Sequence, residues 1–172
     1  MQVKGGGPRS AQLISDIMEF GRYYAVKKRK KQAALDTTAN AIEYIKPLFL
    51  GLQNEVLYII LMDASCHPLY ALKAAEGVPN HVSIDTRKLL RDVLRSNAST
   101  AILAHNHPTG PALPSATDQL TTLKIMQLLA PAGISILDHI IVAGENACSM
   151  ADRGRLPDIS AHPGILNAAS TD

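Results

Sequence analysis

Apolar residues follow two patterns along this chain, and the two patterns predict different elements. Runs of consecutive apolar residues rich in β-branched side chains are typical of strands buried on both faces, whereas apolar residues three and four apart indicate a helix. The strand pattern is unbroken at 56–62 and 101–104, and 69–75 and 134–142 are also predicted strands although polar residues interrupt them. The helical pattern occurs at 13–20, about 38–46, 89–94 and about 116–130. Because strands and helices alternate, we expect an α/β layer structure.

Capping and breaking residues set the predicted ends of these helices. Thr37 or Thr38 is expected to cap the second helix, and Pro47 is expected to stop it. The third helix has Asp85 or Ser83 as its candidate N-cap. These boundaries bring the chain from each helix back to the next strand.

Composition fits one packed domain with additional segments at its ends. The chain has 172 residues, of which 47% are hydrophobic and 19% charged, so a packed core is expected and wholesale disorder is not. We predict a basic head at 1–35, a domain at 36–156 and a flexible tail at 157–172. The low aromatic content of 4%, with no Trp, argues against a surface that stacks nucleic-acid bases.

Targeting signals and cysteine pairs are also missing from the sequence. No apolar run reaches about 18 residues, the first residues have no apolar stretch typical of a signal peptide, and no membrane partner is expected. Cys66 and Cys148 form no CxxC pair, which excludes a zinc finger and favours a reduced, cytoplasmic setting.

The overall charge of +2 conceals an uneven distribution. Residues 1–31 carry eight basic and two acidic side chains, a net charge of +6, while the remainder carries nine basic and thirteen acidic side chains, a net charge of −4. The head is therefore basic and the body is mildly acidic.

Two histidines and an aspartate are the candidate site. His105 and His107 are two residues apart at the end of a predicted strand, so both side chains should point the same way. Asp118 returns in the first turn of the next helix. Two imidazoles and a carboxylate leave one position open on a catalytic zinc ion. The alternatives are a chance His pair and an ordinary capping box of Ser115 with Asp118, although a capping box is compatible with a metal site.

The segment 105–118 resembles the JAMM motif of the MPN metalloprotease family. Its HxHP is followed by a Ser eight residues, and an Asp eleven residues, after the second His. The His-Asn-His-Pro-Thr-Gly form and the segments 137–142 and 153–154 are similar to the RadC branch. This resemblance implies an MPN (JAMM) domain, a mixed β-sheet flanked by helices, preceded by a short helical remnant of a helix-hairpin-helix region.

The resemblance also implies an activity and a set of ligands. It assigns one Zn²⁺ per chain to His105, His107 and Asp118, and it gives Ser115 a role in holding the oxyanion. The implied activity is cleavage of a peptide or isopeptide bond in a peptide or protein substrate.

A general base is missing from this trio, and the resemblance places it at Glu55. This carboxylate precedes an apolar strand, where it could reach a water molecule at the site, or it could be a solvated strand-edge residue. Glu43 and Glu76 are the rival carboxylates.

Three further residues stand beside the motif. Asn106 occupies a position where Ser or Thr is usual in the wider family, although Asn is typical of the RadC branch. Asp138 and His139 follow an apolar run and could support the site from behind. A buried, hydrogen-bonded histidine is the alternative for His139.

The basic head suggests a second hypothesis, that of an accessory protein associated with DNA repair. Residues 5–11 resemble the end of a helix-hairpin-helix motif, whose backbone N–H groups can hold a DNA phosphate. Gly5, Gly7, Arg9 and the run Lys27–Lys31 are the predicted, weak DNA contacts. The alternative is that these charges form a solvated helix end. A catalytically silent interaction domain is the third hypothesis.

Overall fold

The predicted strands form one mixed sheet in the computed structural model of the protein, which describes residues 7–27, 33–77 and 84–160. The helices are α1 Pro8–Lys27, α2 Thr38–Ile45, α3 Thr86–Leu94 and α4 Ala116–Leu129. Short 3-10 helices follow α2 at Lys46–Phe49 and α4 at Ala130–Ala132. The strands are β1 Glu55–Met62, β2 Pro68–Gly77, β3 Thr100–Asn106, β4 Ser135–Ala143 and β5 Asn146–Ser149. The predicted α/β class is confirmed.

The strand order explains which sequence runs are purely apolar. The sheet has the order β2-β1-β3-β4-β5, in which β3 and β4 are parallel and every other pair is antiparallel. A parallel pair needs a crossover, which the segment containing α4 supplies. β1, β3 and β4 are interior strands; β1 and β3 carry the unbroken apolar runs, while Asp138 and His139 interrupt the run in β4. β5 was not predicted, because four residues of mixed polarity give no periodic signal.

Each face of the sheet carries its own hydrophobic cluster, since successive side chains along a strand point to opposite faces. One face packs against α2 and the 3-10 helix after it, through residues such as Val56, Ile60 and Ile102. The other packs against α3 and α4, through residues such as Leu57 and Leu103. Residue number therefore gives the face along β1 and β3, whereas irregularities in the pairing of β2 and β4 interrupt the alternation there.

The structure corrects one predicted helix end and decides between the candidate N-caps of two helices. Pro47 does not stop the chain from coiling but lies within the 3-10 helix Lys46–Phe49, because proline fits the first turn of a helix, where no backbone N–H is needed. Thr37 is the N-cap of α2, and its Oγ1 accepts from the backbone N–H of Asn40 at 3.2 Å. Asp85 caps α3, while Ser83 lies outside the described residues.

The third strand runs two residues beyond its apolar stretch, to Asn106. His105 and Asn106 are polar, so the hydrophobic pattern ended at Ala104, but both are buried, at 7% and 5% exposure. His105 pairs with Leu57 of β1 on one side and Ile141 of β4 on the other. The first histidine of the motif is therefore part of the sheet and not of the loop.

The ends of the chain are described only in part. The predicted first helix is confirmed and is longer than its apolar pattern, running from Pro8 to Lys27. Residues 1–6, 28–32 and 161–172 lie outside the described residues, which includes most of the predicted tail. None of the helices in the described ranges combines the length and apolar character needed to cross a bilayer.

Truncation of Leu103 to alanine tests how far stability depends on the centre of the sheet. Leu103 is fully buried in β3, so Leu103→Ala should lower the free energy of unfolding by about 2–5 kcal/mol, measured by urea denaturation. Leu94→Ala is the matched control, because Leu94 is 67% exposed and its change should stay within about 0.5 kcal/mol. Equal effects of the two changes would contradict this packing.

Candidate metal centre

The end of β3 and the start of α4 bring the candidate ligands together. His105 is the penultimate residue of β3, and His107 follows that strand directly. The backbone N–H of His107 still donates to the carbonyl oxygen of Val142 at 2.8 Å, which prolongs the ladder with β4. Asp118 lies in the first turn of α4. The predicted convergence of these three side chains therefore occurs.

Distances between the ligand atoms define one compact centre. The Nε2 atoms of His105 and His107 are 2.8 Å apart. Asp118 places its Oδ1 3.1 Å from Nε2 of His105 and its Oδ2 3.7 Å from Nε2 of His107. All the ligand atoms lie within 4.8 Å of one another. The side chains are only 9%, 16% and 14% exposed in that order, so water screens the centre weakly.

The loop after the second histidine fixes the orientation of its ring. Nδ1 of His107 lies 2.8 Å from the main-chain oxygen of Pro111. A carbonyl oxygen only accepts, so Nδ1 must carry the proton and donate it. In the neutral ring, Nε2 is then unprotonated and directs its lone pair towards His105 and Asp118.

Ser115 holds the carboxylate of Asp118 through hydrogen bonds. Its backbone N–H and its hydroxyl both donate to Oδ2 of Asp118 at 2.7 Å, while the N–H of Asp118 donates to Oγ of Ser115 at 3.1 Å. This is the expected capping box. Burial by itself raises the pKa of Asp118, but His105 and Ser115 together outweigh it and hold the pKa far below its usual value. The carboxylate is therefore ionised and can serve as a ligand.

A buried histidine supports the first ligand from behind. Nε2 of His139 lies 2.8 Å from Nδ1 of His105, and its Nδ1 lies 2.6 Å from the hydroxyl of Thr122. Complete burial lowers the pKa of His139 well below its usual value. His139 is thus a neutral imidazole. Thr122 carried no signal of its own in the sequence, although it follows Asp118 by one helical turn and so shares its face.

Asp138 does not share this role, because it points to the opposite face of the sheet. It accepts from the hydroxyl of Ser149 at 2.6 Å and from the backbone N–H of Ala151 at 2.9 Å. The adjacent residues Asp138 and His139 therefore have different roles on opposite faces of the sheet. His139 reaches the candidate centre, and Asp138 holds the segment that follows β5.

Register places Glu55 on the same side of the sheet as the histidines. Leu57 pairs with His105, and residues two apart in a strand point to the same face. Glu55 is partly buried. Its rival Glu76 pairs with Val56 and so faces the other side, while Glu43 is exposed on α2, the helix that covers that other face. Of the three carboxylates considered, only Glu55 lies on the same side of the sheet as His105.

Asn106 fixes the backbone on both sides of Glu55. Its Oδ1 accepts from the backbone N–H of Val56 at 2.7 Å, and its Nδ2 donates to the main-chain oxygen of Asn54 at 3.0 Å. A side chain that both accepts and donates is needed here, which an amide supplies and a hydroxyl could satisfy only with shorter reach. The start of β1 is thereby tied to the strand that carries His105.

The donor set fits a divalent cation. Two imidazole nitrogens and an ionised carboxylate face one another across less than 5 Å, and their lone pairs repel unless a proton or a cation lies between them. Imidazole with carboxylate is a ligand set that zinc accepts readily. The three residues can therefore hold a metal ion of this kind.

Comparison with known proteins agrees with this geometry. A profile of the RadC-like JAB domain matches residues 35–155. The chain belongs to the RadC-like JAB domain family. A UPF0758 protein of Pseudoalteromonas translucida is 32% identical over 151 residues, which are 88% of this chain and 67% of that protein. A UPF0758 protein of Bordetella petrii is 33% identical over 156 residues, which are 91% of this chain and 69% of that protein.

The structure describes part of the basic head that was predicted to bind DNA in this RadC-like protein. The carbonyl of Gly7 accepts from the backbone N–H groups of Ser10 and Ala11 at the start of α1, at 2.9 and 3.1 Å. Arg9 is exposed in the first turn of that helix. Gly5 and residues 28–31 lie outside the described residues. Weak DNA binding by these groups stays a prediction.

Replacement of Asn106 by alanine tests the tie between β1 and β3. The N–H of Val56 would lose its acceptor, and an unsatisfied buried donor costs about 1–3 kcal/mol of unfolding free energy. Urea denaturation of Asn106→Ala should show a loss in this range. Asn146→Ala is the control at an exposed strand position, where the change should stay within about 0.5 kcal/mol. A negligible effect at Asn106 would contradict the proposed tie.

Proposed function

We propose that this RadC-like protein is a zinc-dependent hydrolase that cleaves a peptide or isopeptide bond. His105, His107 and Asp118 hold the zinc ion, and Glu55 is the general base. The convergence of two imidazole nitrogens and an ionised carboxylate within 4.8 Å carries the proposal. The choice of bond rests on the resemblance of the motif to the MPN metalloproteases.

Each protein group has a defined part in the proposed reaction. Zinc, when bound, polarises a carbonyl oxygen and lowers the pKa of water towards about 7. Glu55 accepts a proton from the attacking water and returns it to the nitrogen of the leaving amine as the carbon–nitrogen bond breaks. One water is consumed, and a carboxylic acid and an amine are released.

Ser115 has two candidate roles in this scheme. In the structure its hydroxyl hydrogen is engaged by Oδ2 of Asp118, which supports a role in holding the ligand. Stabilisation of the oxyanion, the role implied by the resemblance, requires the hydroxyl to turn from Asp118 to the substrate oxygen. Ser115 is exposed, so a substrate can reach it.

Metal analysis of the purified protein tests the first half of the proposal. About one zinc per chain is expected after incubation with zinc and removal of the excess, because three ligands suffice for a catalytic site. His107→Ala and Asp118→Ala should each abolish this uptake. His67→Ala is the control, since His67 is an exposed histidine that faces Asp63 and not the centre. Absence of zinc uptake by the unmodified protein would refute the site.

Replacement of Glu55 by glutamine tests the second half. The amide keeps the size of the side chain but cannot take a proton, so zinc content should persist while hydrolysis falls by at least about 100-fold. Cleavage is measured on quenched fluorescent peptides and on peptides joined through a lysine ε-amide. Glu43→Gln and Glu76→Gln are the matched controls and should cleave normally. If Glu55→Gln cleaves at the unmodified rate, the base is a different group.

A further inference from the structure

We infer that His139 and Thr122 are positioning residues that hold a proton on Nδ1 of His105. The Nε2 of His105 is thereby kept as the nitrogen that binds the metal. This inference rests on the proposed role of His105 as a ligand. It follows from the order of donors and acceptors in one buried chain of hydrogen bonds.

The chain of hydrogen bonds begins at a group that can only accept. The hydroxyl of Thr122 lies 2.6 Å from the main-chain oxygen of Asp118, one helical turn earlier. A threonine hydroxyl has a single hydrogen, and at an oxygen–oxygen distance of 2.6 Å that hydrogen lies between the two oxygens, because the carbonyl has none to offer. The hydroxyl oxygen must therefore act as acceptor in its contact with Nδ1 of His139 at 2.6 Å. It follows that Nδ1 of His139 carries a proton.

The neutral state of His139 then fixes the next bond. The ring is 1% exposed, and its two ring contacts within the described residues go to Thr122 and His105, with no carboxylate among them. A buried imidazolium without a paired anion is strongly unfavourable. With its one proton on Nδ1, the neutral ring has an acceptor at Nε2. That acceptor lies 2.8 Å from Nδ1 of His105, so His105 is the donor.

Placing the proton of His105 on Nδ1 opposes the effect of the Asp118 carboxylate, which lies on the other side of the His105 ring. Oδ1 of Asp118 lies 3.1 Å from Nε2 of His105 and, taken alone, favours a proton on that nitrogen. A neutral His105 protonated there could not bind a metal through Nε2. The acceptor on His139 favours the proton on the opposite nitrogen, and it does so in a buried position where hydrogen bonds are strengthened.

One residue, Asp118, anchors both sides of the ring. Its carboxylate faces Nε2 of His105. Its main-chain oxygen is the acceptor from which the chain of hydrogen bonds runs through Thr122 and His139 to Nδ1 of His105. The first helical turn of α4 therefore sets the position of one ligand and the protonation of another. His107 obtains the same state by a shorter route, through the main-chain oxygen of Pro111.

Nitrogen-15 NMR of the histidine side chains tests the proton positions directly. The full chain is measured with zinc and metal-free at a pH of about 8, above the ordinary imidazole pKa of about 6.5. We expect a directly bonded proton on Nδ1 of His105 in both forms, and on Nδ1 of His139. A proton on Nε2 of His139 together with an unprotonated Nδ1 of His105 would overturn the inference.

Two substitutions of His139 separate positioning from packing. His139→Gln offers an amide oxygen that can accept from His105, whereas His139→Leu offers none. Zinc affinity, measured by competition with a chelator, should fall about 10- to 100-fold in His139→Leu and recover largely in His139→Gln. In metal-free His139→Leu the proton of His105 should move to Nε2. Equal loss of affinity in both variants, with the proton of His105 unmoved, would overturn the inference.

Thr122 provides a second pair of variants should His139→Leu fail to fold. Thr122→Val removes the hydroxyl at nearly constant shape, and Thr122→Ser retains it. The proton of His139 should spread over both ring nitrogens in the valine variant and stay on Nδ1 in the serine variant. An unchanged His139 spectrum in Thr122→Val would contradict the proposed order of donors.

The outcomes also separate this inference from the proposed function. If the unmodified chain takes up no zinc while His105 carries its proton on Nδ1, the hydrolase proposal fails and the proposed polarity stands. If zinc binds while the polarity is reversed, the site stands and the inference fails.

Discussion

Repulsion among three closely spaced ligand atoms, from one buried and two partly buried side chains, is the constraint on which the rest of the structure depends. Two imidazole nitrogens 2.8 Å apart and an ionised carboxylate within 4.8 Å of both repel one another unless a proton or a metal cation lies among them. The fold must hold these groups in place against that repulsion. It does so with the end of an interior strand, the capping box of a helix and the backbone of the intervening loop, so the ligands lie on rigid elements.

Each candidate ligand has a hydrogen-bond partner that limits its orientation and the position of its proton. His107 donates to Pro111, and Ser115 donates twice to Asp118. Behind His105 lies a fully buried histidine, a polar group that a core accepts only when its hydrogen bonds are satisfied. These contacts cost conformational freedom and desolvation when the protein folds. In return they fix the protonation and orientation of the ligands before a metal ion arrives.

The candidate centre could be predicted from the sequence because ligand types and their spacing are visible without knowledge of the fold. An i, i+2 histidine pair after an apolar strand and an aspartate at a helix start predict their own convergence. The extension of β3 through His105 and Asn106 could not be predicted. Both residues are polar, and they are buried only because neighbouring strands flank them. Thr122 also stayed hidden, because its role depends on β4 lying parallel to β3 and placing His139 above α4. Register likewise was needed to separate Glu55 from Glu76.

X-ray absorption at the zinc edge of the zinc-loaded chain tests the central claim most directly. The account predicts a shell of nitrogen and oxygen ligands at about 2.0–2.1 Å, including two imidazoles, and no sulfur. The same spectrum in Asp118→Ala should be lost with the zinc. A zinc–sulfur distance of about 2.3 Å would instead place the metal on Cys66 or Cys148, both free thiols, and would contradict the proposed centre.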